Sequence, residues 1–167
     1  VVYRYSVSLT PTGAQAEPAV TLAHVYSEFT LDLPPQWQPQ PNTEDNTLSF
    51  HDSTADAALI VSVDFIQTPP DQLQTMAEHV IARRIAAMST AGTAPVQVLQ
   101  QQIRPHTNGK ALELSFIAEA ANEHLQLCLG YVSARKIMHF AMFCAPDRAA
   151  AVALFNATVS HFKPRLP

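Results

Sequence analysis

The longest regular pattern of apolar and polar positions runs from Thr68 to Gly92, TPPDQLQTMAEHVIARRIAAMSTAG. Leu73, Met76, Ala77, Val80, Ile81, Ile85 and Met88 follow the i, i+3, i+4 spacing of a helix with one buried face. Arg84 is the one charged member of that stripe. Glu78, His79, Ala82 and Arg83 fall on the wetter side. Thr68 is placed to cap the helix, Pro69 suits its first turn, and Gly92 and Pro95 stop it. A helix of roughly 20 residues is about 30 Å long, enough to cross several strands.

On both sides of the helix the period changes to two. In Val2–Leu9 the apolar side is Tyr3, Tyr5, Val7 and Leu9, and Thr10–Ala19 reads as a linker. Such a strand can add to the edge of this domain's own sheet or to another molecule's. Glu28–Leu33 alternates as a strand and ends at Pro34 and Pro35, because proline donates nothing to a ladder. Trp37 reads as an anchor for the following loop, Gln38–Asn46. Thr47–His51 is a short strand and Asp52–Asp56 a turn. Ala58–Ile66 then sets Leu59, Val61, Val63 and Phe65 on one face.

Val96–Arg104 and Ala111–Glu119 form a hairpin across Asn108-Gly109. A two-residue turn pairs Ile103 with Leu114, Gln101 with Phe116, Leu99 with Ala118 and Arg104 with Glu113, so that Ile103 and Leu99 meet apolar partners and the one charge pair is of opposite sign. Leu125–Val132 and Ile137–Cys144 make two more strands. If the turn Ser133–Lys136 carries no bulge, Cys128 lies opposite Ala141 and Cys144 points to the other face, so the thiols do not bond; a one-residue bulge reverses this. Asp147 opens a last helix with an apolar stripe of Ala151, Val152, Phe155, Val159 and Phe162. The expected architecture is α+β, a curved antiparallel sheet with a long central helix and a C-terminal helix.

With 167 residues the chain suits one domain. A net charge of −4 with ten basic residues gives no footprint for nucleic acid. Only 14% of residues are charged, so much of the surface is amide, hydroxyl or apolar. The chain begins at Val1 without methionine, which reads as a trimmed or processed product and leaves its compartment open. Phosphate-binding loops and nucleophile elbows are missing, and the seven histidines show no helical metal-ligand spacing. His51-Asp52 resembles a hydrolase pair without its supporting ligands. The expectation is a protein with no catalytic residues, no metal and no cofactor.

Placing Leu59, Val61, Val63, Phe65, Leu99, Ile103, Leu114 and Phe116 under the long helix leaves a mixed reverse face. It comprises Ile60, Ser62, Val98, Gln100, Gln102, Ser115, Ile117, Gln126 and Cys128. Apolar groups alternate there with amides and hydroxyls, and charges are few. Such a face suits an apolar peptide or helix.

The phrases EFTLDLPPQWQ, NTLSFHD and ALIVSVDFIQTP, followed by the long helix, resemble the opening of DcrB-related proteins. GYVSARKIMHFAMFCAPD and FNATVSHFKPRLP resemble that family's final hairpin and helix. The likeness spans Ala23–Pro167, so residues 1–21 read as an N-terminal strand-and-linker extension and 22–167 as one DcrB-like domain. The resemblance implies a PsbP-like sandwich and a non-enzymatic role. One branch of the family, the Eag chaperones of type VI secretion, holds apolar effector segments in a groove of the sheet. The leading expectation is therefore a cytoplasmic chaperone or adaptor of bacterial secretion, a homodimer with a protein partner. The alternative is a periplasmic or lipid-anchored immunity protein that neutralises a toxin through loops or the N-terminal strand.

Overall fold

The computed structural model describes residues 5–9, 22–26, 28–41, 46–91, 95–121 and 123–164. The linker Thr10–Ala19 and the helix stop at Gly92 lie outside the described residues. Among the described residues the fold has two α-helices and antiparallel strands, as the α+β pattern predicts, but the strands divide into two sheets where one curved sheet was expected. The small sheet holds β1 (Tyr5–Leu9), β2 (Leu22–Tyr26), β3 (Phe29–Leu33) and β11 (Phe162–Pro164) in the order β1-β2-β3-β11. The large sheet holds β4 (Gln38–Gln40), β5 (Thr47–Asp52), β6 (Ala57–Asp64), β7 (Val96–Pro105), β8 (Ala111–Ala120), β9 (His124–Ser133) and β10 (Ile137–Cys144). Its order is β4-β5-β6-β10-β9-β8-β7.

The N-terminal strand pairs within its own chain, β1 against β2 from Tyr5↔Tyr26 to Leu9↔Leu22. Gln38–Gln40, expected as loop, is an exposed edge strand against Ser49–His51. Phe162, expected in the last helix, belongs instead to β11, which follows α2 (Arg148–Val159). The Asp147 carboxylate caps α2 by accepting from the Ala150 N–H at 3.2 Å.

One face of the large sheet packs on the small sheet and α2, the other on α1 (Leu73–Ala91). Trp37 anchors its loop in the first core, fully buried beside Phe29, Leu31, Phe50 and Phe162. Ala77, Val80, Ile81 and Met88 of α1 close the second core over Leu114, Phe116, Cys128 and Ala141. Thr68 does not cap the helix. A 3-10 turn, Pro70–Gln72, leads into α1, and the buried Thr68 donates its backbone N–H to Ala134 O at 3.0 Å. That bond ties the helix entry to the β9–β10 turn. Lys136 of the same turn is buried in an ion pair with Glu28, just ahead of β3.

Strand register overturns the expected face of β6. Leu59, Val61 and Val63 stand opposite Met142, Phe140 and Met138 of β10, which stand opposite Leu127, Leu129 and Tyr131 of β9. Leu127 and Leu129 in turn face Ile117 and Ser115 of β8. Side chains directly opposite share a face, so this row points away from α1, while Leu114 and Phe116 point toward it. Phe65 lies beyond the end of β6 and is 42% exposed.

The β7–β8 hairpin keeps the expected register at Ile103↔Leu114, Gln101↔Phe116 and Arg104↔Glu113. Arg104 donates to Glu113 Oε1 through Nε at 3.0 Å and Nη2 at 2.7 Å. Its tip is longer than the two residues expected. The His106 N–H bonds Ala111 O, and the Gly109 N–H closes a turn onto His106 O. Gly109 takes φ +71°, a conformation that side-chain-bearing residues seldom adopt. A bulge between Val98 and Gln100 pairs Val98, not Leu99, with Ala118 and turns Leu99 to the opposite core. At the β9–β10 hairpin Cys128 does oppose Ala141, and the two buried cysteines are free on opposite faces.

Gly130 is required for space. A Cβ there would sit 3.0 Å from both Leu114 Cδ1 and the Met138 carbonyl oxygen. Gly130→Ala is expected to lower the free energy of unfolding by about 1–3 kcal/mol. The midpoint of urea unfolding, at unchanged slope, measures it.

Candidate functional site

The nine residues expected to line one groove divide between the two faces of the large sheet. Gln100 opposes Ile117 and Gln102 opposes Ser115, so these four form a continuous patch on the face that α2 covers only in part. Ile60, Ser62, Gln126 and Cys128 lie on the α1 face. Ile60 and Cys128 both oppose Ala141, Ser62 opposes His139, and Gln126 opposes Phe143. Ser62, Gln126 and Cys128 are buried there. Val98 pairs with Ala118 on the same face, 40% exposed at the sheet edge. Two features separate the nine: β6 and β9 have the opposite parity to the expected one relative to β8, which moves Ile60, Ser62, Gln126 and Cys128, and the bulge in β7 moves Val98.

The patch that stays together continues into a cleft of about 330 Å³. Its sheet side is Gln100, Ser115, Ile117 and Leu127; its helix side is Arg148, Val152, Phe155 and Asn156. Val152 and Phe155 are half-buried, with Phe155 turned edge-on to Phe140 at a centroid distance of 5.9 Å. The cleft is apolar at its floor and carries amides at its rim. It ends at β7, whose only ladder partner among the described residues is β8.

A second cleft, of about 340 Å³, opens where α1 passes over β5, β6 and β10. Asn46, Thr47, Ser62, Asp64, Arg83, Arg84 and His139 line it with Val80 and Ala87. Here Arg84, the charged interruption of the apolar helix stripe, lies over the sheet. His139 is buried, and its Nδ1 shares a hydrogen bond of 3.3 Å with Ser62 Oγ. His139 Nε2 and Arg84 Nε are buried with no hydrogen-bond partner among the described residues. Leaving such a group unpaired costs about 1–3 kcal/mol. Asp64 accepts from Asn46 Nδ2 at 2.6 Å, and Asn46 Oδ1 accepts from Thr47 at 3.1 Å. Two guanidinium groups and one carboxylate leave this cleft with one positive charge.

This layered order of elements has a match among solved structures. The cyanobacterial PsbP (CyanoP) of Synechocystis sp. PCC 6803 superposes with a TM-score of 0.68, over 93% of this chain and 99% of that one. The fold is PsbP-like. Sequence identity is 18%, so the likeness extends to the fold alone. No family model matches the chain, and no curated protein does.

Within the PsbP-like fold His51 and Asp52 make separate contacts. Asp52 is buried, and its Oδ1 accepts from the N–H groups of Thr54 and Ala55 at 2.9 and 3.2 Å, tying the β5–β6 turn. His51, partly exposed, lies 3.8 Å from the exposed Asp56. The His51-Asp52 pair is therefore divided between two tasks. Burial pushes the Cys128 thiol up to about 11, against a smaller opposing effect of Arg84. The charged interruption at Arg84 and a histidine inside an apolar strand were visible in the sequence. Their meeting was not, because it depends on how α1 crosses the sheet.

Burial first, then Arg84 and Arg83, lower the His139 pKa to about 3, so the imidazole is neutral in the folded protein. The unfolded chain takes up a proton near the ordinary value of 6.5 that the folded state refuses until about 3. This residue's contribution is present above the unfolded pKa and is lost as pH falls from about 6.5 toward 3. His139→Gln, which cannot ionise, is expected to make the acid-side fall of stability shallower across that window. Urea unfolding at a series of pH values reads the difference in slope.

Proposed function

We propose that this chain is a non-enzymatic binding protein of bacterial secretion, a chaperone or adaptor that shields an apolar segment of a protein partner. The carrying observation is the patch Gln100, Gln102, Ser115 and Ile117 leading into the cleft between α2 and β8 at an open sheet edge. The resemblance to DcrB-related chaperones supports the same reading. An extended segment can add to the outer edge of β7 through backbone hydrogen bonds, with alternate side chains entering the cleft. Val152 and Phe155 would take apolar side chains, while Gln100, Ser115 and Asn156 would meet amide groups. Arg104 is the single charge in Val96–Pro105, and Arg148 is the charged group that lines the cleft, where its exposed guanidinium can stay in water at the rim.

Gln100→Arg and Gln102→Arg test the reading, because both residues are exposed and the changes leave the core untouched. Each is expected to weaken binding of an apolar effector segment at least tenfold with little change in melting temperature. Gln101→Arg, on the opposite face of β7, is the control and should bind normally. Fluorescence anisotropy of a labelled segment measures all three. Equal binding by all three variants would remove this groove and favour the alternative in which the outer edge of β1 meets a toxin.

A further inference from the structure

From the cleft beneath α1 we infer a binding site for a small organic monocarboxylate, held between the Arg83 and Arg84 guanidinium groups over Ser62 and His139. The site is separate from the groove on the other face of the sheet and does not depend on it. Three observations carry it, together with the geometry of the guanidinium group. The space is about 340 Å³, larger than a bare inorganic ion requires. Val80 and Ala87 supply an apolar wall for a short hydrocarbon body. Arg84 Nε is a buried donor with no acceptor among the described residues, and a carboxylate beside it would supply one. A guanidinium presents its N–H groups as a planar fork that matches a carboxylate.

Charge decides the class of anion. Asp64 stands in the same cleft, so the two arginines leave one positive charge to be met. A monoanion neutralises it, whereas a phosphate dianion would bring excess negative charge against Asp64. Asn46 holds Asp64 Oδ1 at 2.6 Å, which fixes the carboxylate at the wall instead of letting it close onto an arginine. Ser62 and Thr47 add hydroxyl groups on the sheet side. The neutral His139 offers hydrogen bonding through its imidazole without adding charge.

The test is titration of the purified chain with butyrate, acetate and inorganic phosphate at matched ionic strength, read by calorimetry and by the imidazole NMR signals of His139. Butyrate is expected to bind saturably, to shift the His139 signals, and to bind more tightly than either acetate or phosphate. Arg83→Gln, at an exposed helix position, should lose at least tenfold in butyrate affinity while retaining the thermal stability of the parent. Gln102→Arg, on the opposite face, should bind butyrate normally and so separates this site from the partner groove. Tighter binding of phosphate than butyrate would overturn the carboxylate assignment. No saturable binding, or full affinity in Arg83→Gln, would overturn the site itself.

Discussion

Strands β9 and β10 have no side that can face water. Met138, Phe140 and Met142 point one way and Ile137, His139 and Ala141 the other, and all six are buried. A sheet built on such a pair must have a layer on each face. The two layers are unlike because the faces are unlike. Under α1 lie Cys128, Gly130, Ala118 and Ala141, small groups over which a helix can settle. On the reverse face Phe140 meets Phe162 at 4.9 Å and Phe155 at 5.9 Å, larger rings that fill the space beneath β11 and α2. Each such ring removed from water contributes about 1.5–3 kcal/mol.

Both candidate sites lie where this covering stops. The small sheet and α2 do not reach across β7, so Gln100, Gln102 and Ser115 remain at a rim above a floor of Ile117 and Leu127. On the other side α1 crosses the sheet with Arg84 in its buried stripe. A polar cleft opens there instead of a sealed core. The first is built for a chain with apolar side chains and amides, the second for a small charged group. Nothing in their geometry requires one to communicate with the other.

Local features of the chain were readable because short-range chemistry set them. The β9–β10 turn placed Cys128 opposite Ala141, and the β7–β8 tip placed Arg104 opposite Glu113, as the hairpin arithmetic predicted. Trp37 was legible as an anchor since a large apolar ring after two prolines has few alternatives to burial. The bulge at Leu99 was not legible, because Leu99 and Val98 are equally apolar and either could pair with Ala118. β2 and the small sheet were missed for a related reason. Leu22–Tyr26 is short, and it becomes a strand through partners on both sides.

Alternation and helical period in the sequence alone determined the α+β class, the long helix with its single charged interruption, and the pairing of neighbouring strands. These depend on interactions within a few residues, where the turn leaves one register. The face that β6 shows to α1 was decided only in the tertiary structure. Its partner β10 lies far along the chain, so no turn relates them, and a slip of one residue would invert every side chain of the strand. That contact carried Ser62 beneath α1 to meet His139 and Arg84. It left Gln100, Gln102, Ser115 and Ile117 together on the other side.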